Sequence, residues 1–317
     1  MKIITWTEDK LQDVLCLWNK EIGDQFPMRE ELLKLNCFED ENVLLQGSFL
    51  AVDSDDKLIG FVVSKRWQEN LNLHMGKSIG WIQVLLVDSD YRNLGLGSRL
   101  LEKAETALIE SGATKVSLGR DPWYYFPGVP GDFHETRKWF ENRGYTSSGQ
   151  DFDLICHYDK AIISPPPSFD EVEFAILEKG DQEEFITFLH RCFPGRWEYE
   201  AIHYFKRGGT GREFVVLKKG RKIIGFCRIN DHQSPFIVQN VYWSPLFSEP
   251  LGGIGPLGID PNERKKGYGM AIVEAGIAIL REREINRIVI DWTGLVEFYG
   301  KLGYDVWKAY HKYEKLV

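Results

Sequence analysis

A chain of 317 residues with 43 % hydrophobic and 27 % charged side chains has the make-up of a soluble globular protein of about two domains, which excludes disordered, collagen-like and disulfide-stapled classes. Its 39 basic residues against 47 acidic ones leave a net charge of −8, so wholesale binding to a nucleic acid is not expected. The five cysteines, Cys16, Cys37, Cys156, Cys192 and Cys227, are odd in number and widely spaced, and form neither a disulfide framework nor a zinc knuckle.

The chain opens on Met1-Lys2-Ile3-Ile4-Thr5-Trp6-Thr7-Glu8-Asp9, which has no apolar signal core. No stretch approaches the ~18 continuous apolar residues of a membrane span. A reduced, cytoplasmic protein away from the membrane is the expectation. The first predicted element is a β-hairpin, Phe49–Asp53 and Leu58–Val63 around the polar turn Ser54-Asp55-Asp56-Lys57. A strand Ile82–Val87 follows, then the turn Asp88-Ser89-Asp90-Tyr91-Arg92-Asn93-Leu94-Gly95-Leu96-Gly97. Leu100, Leu101, Ala104, Ala107 and Leu108 then fall on one face of a helix that ends at Gly112. A further strand, Lys115–Leu118, precedes an aromatic, Pro/Gly-rich insertion, Asp121–Phe133, read as a loop. It would wall an apolar pocket or, preferably, cover a domain interface. A short helix ends in Trp139-Phe140-Glu141-Asn142-Arg143-Gly144-Tyr145, with glycine where a left-handed cap is wanted.

Ser164-Pro165-Pro166-Pro167-Ser168 is the strongest linker signal, because three prolines remove three backbone donors and favour extended chain. Two domains are expected, 1–163 and 170–317, joined by a linker at 164–169. The second half repeats the first in order: a hairpin Phe214–Leu217 and Ile223–Cys227, a strand Gly255–Ile259, then the turn Asp260-Pro261-Asn262-Glu263-Arg264-Lys265-Lys266-Gly267-Tyr268-Gly269. A helix with Ile272, Val273, Gly276, Ile277 and Leu280 on one face, a strand Arg287–Ile290 and the helix end Phe298-Tyr299-Gly300-Lys301-Leu302-Gly303-Tyr304 complete it.

Arg92-x-x-Gly95-x-Gly97 and Arg264-x-x-Gly267-x-Gly269 each stand between a strand and an amphipathic helix. Glycine there permits positive φ and close approach of a ligand. Free amides of the first helical turn and the positive end of its dipole make an anion site, and arginine suits phosphate oxygens. A phosphate or pyrophosphate is the ligand this predicts. Both turns lack the third glycine of a dinucleotide fingerprint and the Gly-Lys-Ser/Thr of a nucleotide triphosphate loop.

This order of strand, Arg-x-x-Gly-x-Gly turn, helix, strand and Phe-Tyr-x-x-Leu-Gly-Tyr resembles the GNAT superfamily of acyl-CoA-dependent N-acetyltransferases. The second half matches more closely, and the likeness runs over nearly the whole chain as a tandem. It implies a mixed α/β fold: two domains, each a twisted sheet flanked by helices, with the strand before the turn splayed from the next. Coenzyme A would lie in that wedge, held by Leu257, Gly258, Ile259, Arg264, Lys265, Lys266, Gly267, Tyr268, Gly269 and Met270. In the first half Leu86, Val87, Arg92, Asn93, Leu94, Gly95, Leu96, Gly97 and Ser98 are the matching set. The resemblance also implies acetyl-CoA as donor, a strand amide around Leu86-Val87 or Gly258-Ile259 at the developing oxyanion, and Tyr299 as the acid.

Phe140 stands where Tyr299 aligns and cannot donate a proton. The first half would then use Tyr124 or Tyr125, bind CoA without turnover, or be structural. Asp291, just past the strand Arg287–Ile290, is the candidate base, with Glu249, Asp260, a water-mediated base or none as alternatives. The histidines have no metal-ligand spacing, so no metal is expected. The expected function is acetyl transfer to a primary amine of a small molecule or peptide in the C-terminal half. A non-catalytic acyl-CoA binder is the alternative. A monomer or homodimer that engages neither nucleic acid nor membrane is expected.

Overall fold

The computed structural model describes residues 1–161 and 167–317. The chain forms two compact units, and neither is a contiguous half. Unit 1 comprises Met1–Leu71, Gly76–Phe152 and Lys308–Val317; unit 2 comprises Asn72–Met75 and Asp153–Trp307. The Pro-rich linker placed at 164–169 begins within residues 162–166, which lie outside the described residues.

Unit 1 contains β1 (Lys2–Thr5), α1 (Leu11–Ile22), α2 (Glu30–Cys37), β2 (Phe49–Val52), β3 (Leu58–Arg66), β4 (Ile79–Val87), α3 (Leu96–Glu110), β5 (Lys115–Leu118), β6 (Val129–Pro130), α4 (His134–Glu141) and the start of β7 (Thr146–His157). Its sheet runs β1-β2-β3-β4-β5, antiparallel except for the parallel β4–β5 pair. α3 packs against this sheet, and α1 and α2 bury Val14, Leu17, Trp18, Leu32 and Leu33 as well. Leu96, Leu100, Leu101, Ala104, Ala107 and Leu108 of α3 are buried with Ile59, Val62, Ile82 and Val116 of the sheet. Each such leucine stabilises the fold by about 2 kcal/mol.

Unit 2 repeats the plan with the remainder of β7, then β8 (Glu173–Ile176), α5 (Gln182–Cys192), α6 (Arg196–Lys206), β9 (Phe214–Lys219), β10 (Lys222–Asn230), β11 (Leu251–Ile259), α7 (Tyr268–Glu282), β12 (Arg287–Thr293), α8 (Val296–Gly300) and the start of β13 (Asp305–Leu316). Its strand order is β12-β11-β10-β9-β8, again with one parallel pair, β11–β12. Ala271, Ile272, Val273, Ala275, Ala278 and Leu280 of α7 are buried. Gly144 (φ 85°) and Gly303 (φ 83°) take the left-handed conformation expected at the two helix ends.

The units depart from the expected contiguous domains because β13 closes the first sheet. Its residues Glu314, Lys315 and Leu316 pair antiparallel with Ser117, Val116 and Lys115 of β5, and Tyr310 and Tyr313 are buried in unit 1. The aromatic insertion after β5 is buried as well. Trp18 of α1 stacks on Phe126 at 5.9 Å and meets Tyr125 edge-on at 5.0 Å, while Phe26 meets Phe126 at 4.9 Å. Phe126, Gly128, Val129, Pro130, Asp132 and Phe133 of this loop line a cleft of unit 1.

Among the described residues no helix is long and apolar enough to cross a membrane.

Candidate functional site: two strand forks and their glycine turns

In each unit the parallel pair runs for four residues and then parts. Ile79–Ile82 pair with Lys115–Leu118, and Leu251–Ile254 pair with Arg287–Ile290. Beyond these points 83–87 and 255–259 keep only their antiparallel neighbour. The Asp88 amide donates to the Ile59 carbonyl and the Asp260 amide to the Ile224 carbonyl. Alternation along an antiparallel ladder then turns Leu86 and Gly258 inward to β3 and β10. Leu85, Val87, Leu257 and Ile259 direct their amides into the open side. Leu86 and Gly258 therefore turn their amides to the ladder, and the flanking residues turn theirs away from it.

Each strand ends on the same device. The Arg92 Nε donates to the Val87 carbonyl at 3.0 Å, and the Arg264 Nε to the Ile259 carbonyl at 3.2 Å. Asn93 (φ 62°) and Lys265 (φ 67°) are left-handed, as are Gly95 (φ 79°) and Gly267 (φ 82°), the residues that cap α3 and α7. A Cβ built on Gly95, Gly267 or Gly269 meets nothing within 4 Å, so the space over the turns is open to a ligand. The first-turn amides of Leu96, Gly97 and Ser98, and of Tyr268, Gly269 and Met270, have no helical carbonyl partner and suit an anion. The side chains contribute less. Leu94 is exposed, Leu96 is buried, and Tyr268 packs edge-on against Phe169 at 5.2 Å. The Lys266 Nζ is paired with Glu263 at 2.6 Å.

The two turns differ in charge. In unit 1 Glu21, at the end of α1, ion-pairs with Arg92 and accepts from the Ser89 amide at 2.9 Å and its hydroxyl at 3.0 Å. In unit 2 Cys192 closes the corresponding helix, and its neighbour Arg191 pairs with Asp260 at 3.1 Å. No carboxylate is paired with Arg264 among the described residues. A cleft of about 1040 Å³ in unit 1 is lined by the turn, by Leu85–Val87, and by Trp139 and Arg143.

The forks differ in chemistry too. Ile82 pairs with Leu118 and Ile254 with Ile290, so Gln83 and Gly119 of unit 1 correspond to Gly255 and Asp291 of unit 2. A Cβ on Gly119 would stand 2.0 Å from the Phe126 carbonyl oxygen; the insertion fills the place of an Asp side chain. Gln83 donates to the Trp123 carbonyl at 2.9 Å. Below it, fully buried Lys65 bridges Asp40 at 2.7 Å and Asp121 at 2.8 Å. The Tyr125 hydroxyl lies 3.2 Å from the Cys37 thiol in the same interior. Removing one member of such a buried ionic knot costs about 3–5 kcal/mol.

In unit 2 the half-buried Asp291 occupies the fork. Burial, together with the nearby carboxylates of Asp153 and Glu200, pushes its carboxyl up to about 7. Tyr299 of α8 is 5 % exposed, and burial, with Cys227 and Asp291 nearby, raises its phenol above the ordinary range. Tyr304 donates its amide to the Tyr299 carbonyl at 3.4 Å, as Tyr145 does to Phe140 at 3.2 Å, so Tyr299 and Phe140 are equivalents. Glu249 does not fit a base, because the Arg287 guanidinium at 2.6 Å holds its carboxyl below the usual range. Asp260 caps its turn by accepting from the Asn262 amide at 3.0 Å.

Four polar residues around this fork, Arg196, Glu200, Gln239 and Asn240, were not singled out from the sequence. Glu200 of α6 accepts from Arg196 at 2.8 Å and from Gln239 at 3.2 Å, and Asn240 donates to Asp291 at 3.2 Å. Their signal is indirect: the run Gly252-Gly253-Ile254-Gly255 in a strand marks a place where something lies close against the backbone. Phe193 adds a wall, since a Cβ on Gly258 would fall 2.4 Å from its ring, and Trp197 is 5.0 Å beyond. Among the described residues no cluster of His, Cys, Asp and Glu is arranged to hold a metal ion.

A sequence profile of the Acetyltransferase (GNAT) family matches residues 11–124 and 183–304. The mycothiol acetyltransferase of Thermobispora bispora is 24 % identical over 248 residues, covering 70 % of this chain and 72 % of that protein. Among solved structures, a GCN5-related glucosamine N-acetyltransferase region of a fungal multi-domain GH3 beta-N-acetylglucosaminidase superposes with a TM-score of 0.85 at 23 % identity. That match covers 99 % of this chain but 38 % of that longer one. A tandem GNAT protein from the clavulanic acid biosynthesis pathway gives a TM-score of 0.68 at 11 % identity, covering 99 % and 98 % of the two chains.

Proposed function

We propose a reaction for this chain from the premise that it belongs to the acetyltransferase (GNAT) family as a tandem of two such domains. It is an acetyltransferase; the donor in this proposal is acetyl-CoA, the acceptor a primary amine of a small molecule or peptide, and the chemistry lies in unit 2. One observation carries the assignment. Unit 2 places Asp291 and Tyr299 at its fork, whereas the equivalents in unit 1 are Gly119 and Phe140. The two glycine turns fit the carrier's diphosphate, since they present free amides beneath open space.

Acetyl-CoA supplies an activated acyl carbon. Asp291 takes the proton that an alkylammonium must lose before its nitrogen can attack; a carboxyl near neutrality suits that transfer. The Leu257 or Ile259 amide stabilises charge on the carbonyl oxygen as the C–N bond forms. Tyr299, fully protonated at neutral pH, gives its proton to the departing sulfur as the C–S bond breaks, and the second proton shed by the new amide nitrogen restores the phenol. Unit 1 has Gly119 and Phe140 at the two equivalent positions, and its cleft supports a second role for that unit, retention of the carrier without turnover.

The acceptor class is open to direct assay. Glucosamine enters the amine panel because a structural neighbour is described as acting on it. Thiol release from acetyl-CoA is expected with at least one amine, with kcat rising through pH 7 as Asp291 loses its proton. Asp291→Asn and Tyr299→Phe should each lower kcat by about 10²-fold, the scale of one general acid or base. Unchanged kcat in both variants would remove the chemistry from unit 2.

A further inference from the structure

Behind Asp291 lies a buried pair of amides. Asn240 sits on the short helical turn Gln239–Val241 and is 4 % exposed; Asn230 of β10 is fully buried. The Asn240 Nδ2 donates to the Gly255 carbonyl at 3.2 Å and to Asp291 Oδ1 at 3.2 Å. Its Oδ1 accepts from the Asn230 Nδ2 at 3.1 Å. Two acceptors at one end of the amide and a donor at the other allow a single orientation.

The strand beneath is shaped for this chain of bonds. A Cβ on Gly253 would stand 2.1 Å from Asn240 Oδ1, and one on Gly255 would stand 2.9 Å from Asp291 Oδ1. The equivalent positions in unit 1 carry Trp81 and Gln83. Unit 2 therefore gives up two side chains in a strand, a local weakening, at the two places where an amide and a carboxylate must pass.

We infer that Asn240, anchored by Asn230, is a positioning residue that holds Asp291 Oδ1 and leaves Oδ2 to take the proton from the acceptor ammonium. The inference rests on the proposed role of Asp291. The groups facing Asp291 are Asp153 near the end of β7, Glu200 on α6, Tyr299 on α8 and Arg228 on β10. Burial and the two carboxylates disfavour its ionised form; its own backbone amide and the Asn240 side chain are the donors that favour it.

The test is a carboxyl ¹³C NMR titration of the full chain labelled at aspartate, with the Asp291 resonance identified by its loss in Asp291→Asn. Loss of the donor in Asn240→Ala should raise the Asp291 midpoint by about one pH unit. Asn240→Asp keeps the shape, replaces the donor with a like charge, and should raise it further. Asn230→Ala should give a smaller rise. With acetyl-CoA and an amine that turns over, the acid limb of kcat/KM should move with the midpoint while the KM for acetyl-CoA stays unchanged. A lower Tm with unmoved midpoints in both Asn240 variants marks a packing role and overturns the inference. Full activity of Asp291→Asn overturns the base assignment and the inference with it; an inactive Asp291→Asn with unmoved midpoints overturns the inference alone.

Discussion

Asp291 and Gly119 differ by one side chain, and that side chain decides whether a fork can accept a proton or is packed by a loop carbonyl. The Asp was legible as a candidate because it directly follows a strand. Its elevated proton affinity was not, because that comes first from burial in the folded unit and then from Asp153 and Glu200, which are distant in sequence. The same holds for the two arginines. Their spacing from the glycines marked both as anion ligands, but Glu21 is 71 residues from Arg92 and already neutralises it. We expect Arg264→Ala to weaken acetyl-CoA binding at least about tenfold, the value of one charge-assisted hydrogen bond. Arg92→Ala should cost less than about threefold, since a paired charge contributes little more to an anion. Calorimetry on each variant measures both, and equal losses would contradict the placement of the working donor in unit 2.

At the scale of elements, the strand–turn–helix unit was readable twice over because it is local. Glycine position, an apolar helical face and a short strand all lie within about thirty residues, the span of one such motif. Two elements escaped. The aromatic insertion reads as loop from its prolines and glycines, yet Tyr125 and Phe126 are buried because Trp18 and Phe26 wait for them elsewhere in the chain. The 231–250 segment has no periodicity at all and delivers Asn240. The turns offer a clean test of backbone conformation against sterics. Gly267→Ala adds a methyl where nothing lies within 4 Å, but at φ 82°. A loss of about 1 kcal/mol is expected, the cost of left-handed geometry for an L-residue, read as a lower urea midpoint at constant m. A loss near zero would mean that the turn relaxes to another conformation.

For the whole molecule, the sequence repeat marks two domains of like order but hides where each ends. Strand pairing is non-local, and no residue of Asp305–Leu316 announces which sheet it will join. Its last residues pair with β5 and bring Tyr310 and Tyr313 into unit 1. A chain ending at Trp307 should therefore lose unit 1 first: two buried aromatic rings are worth about 3 kcal/mol each or more, and unit stabilities total only about 5–15 kcal/mol. Hydrogen exchange should show protection gone from β4, β5 and α3 while α7 and β11 remain protected. Retained protection in unit 1 would show that β13 is dispensable to it.

The placement of β13 also bears on biosynthesis. Translation delivers Met1–Phe152 early, yet β5 keeps a naked edge until Lys308–Val317 emerge from the ribosome. An unpaired edge of that kind invites foreign strands. The half made first is thus the half finished last.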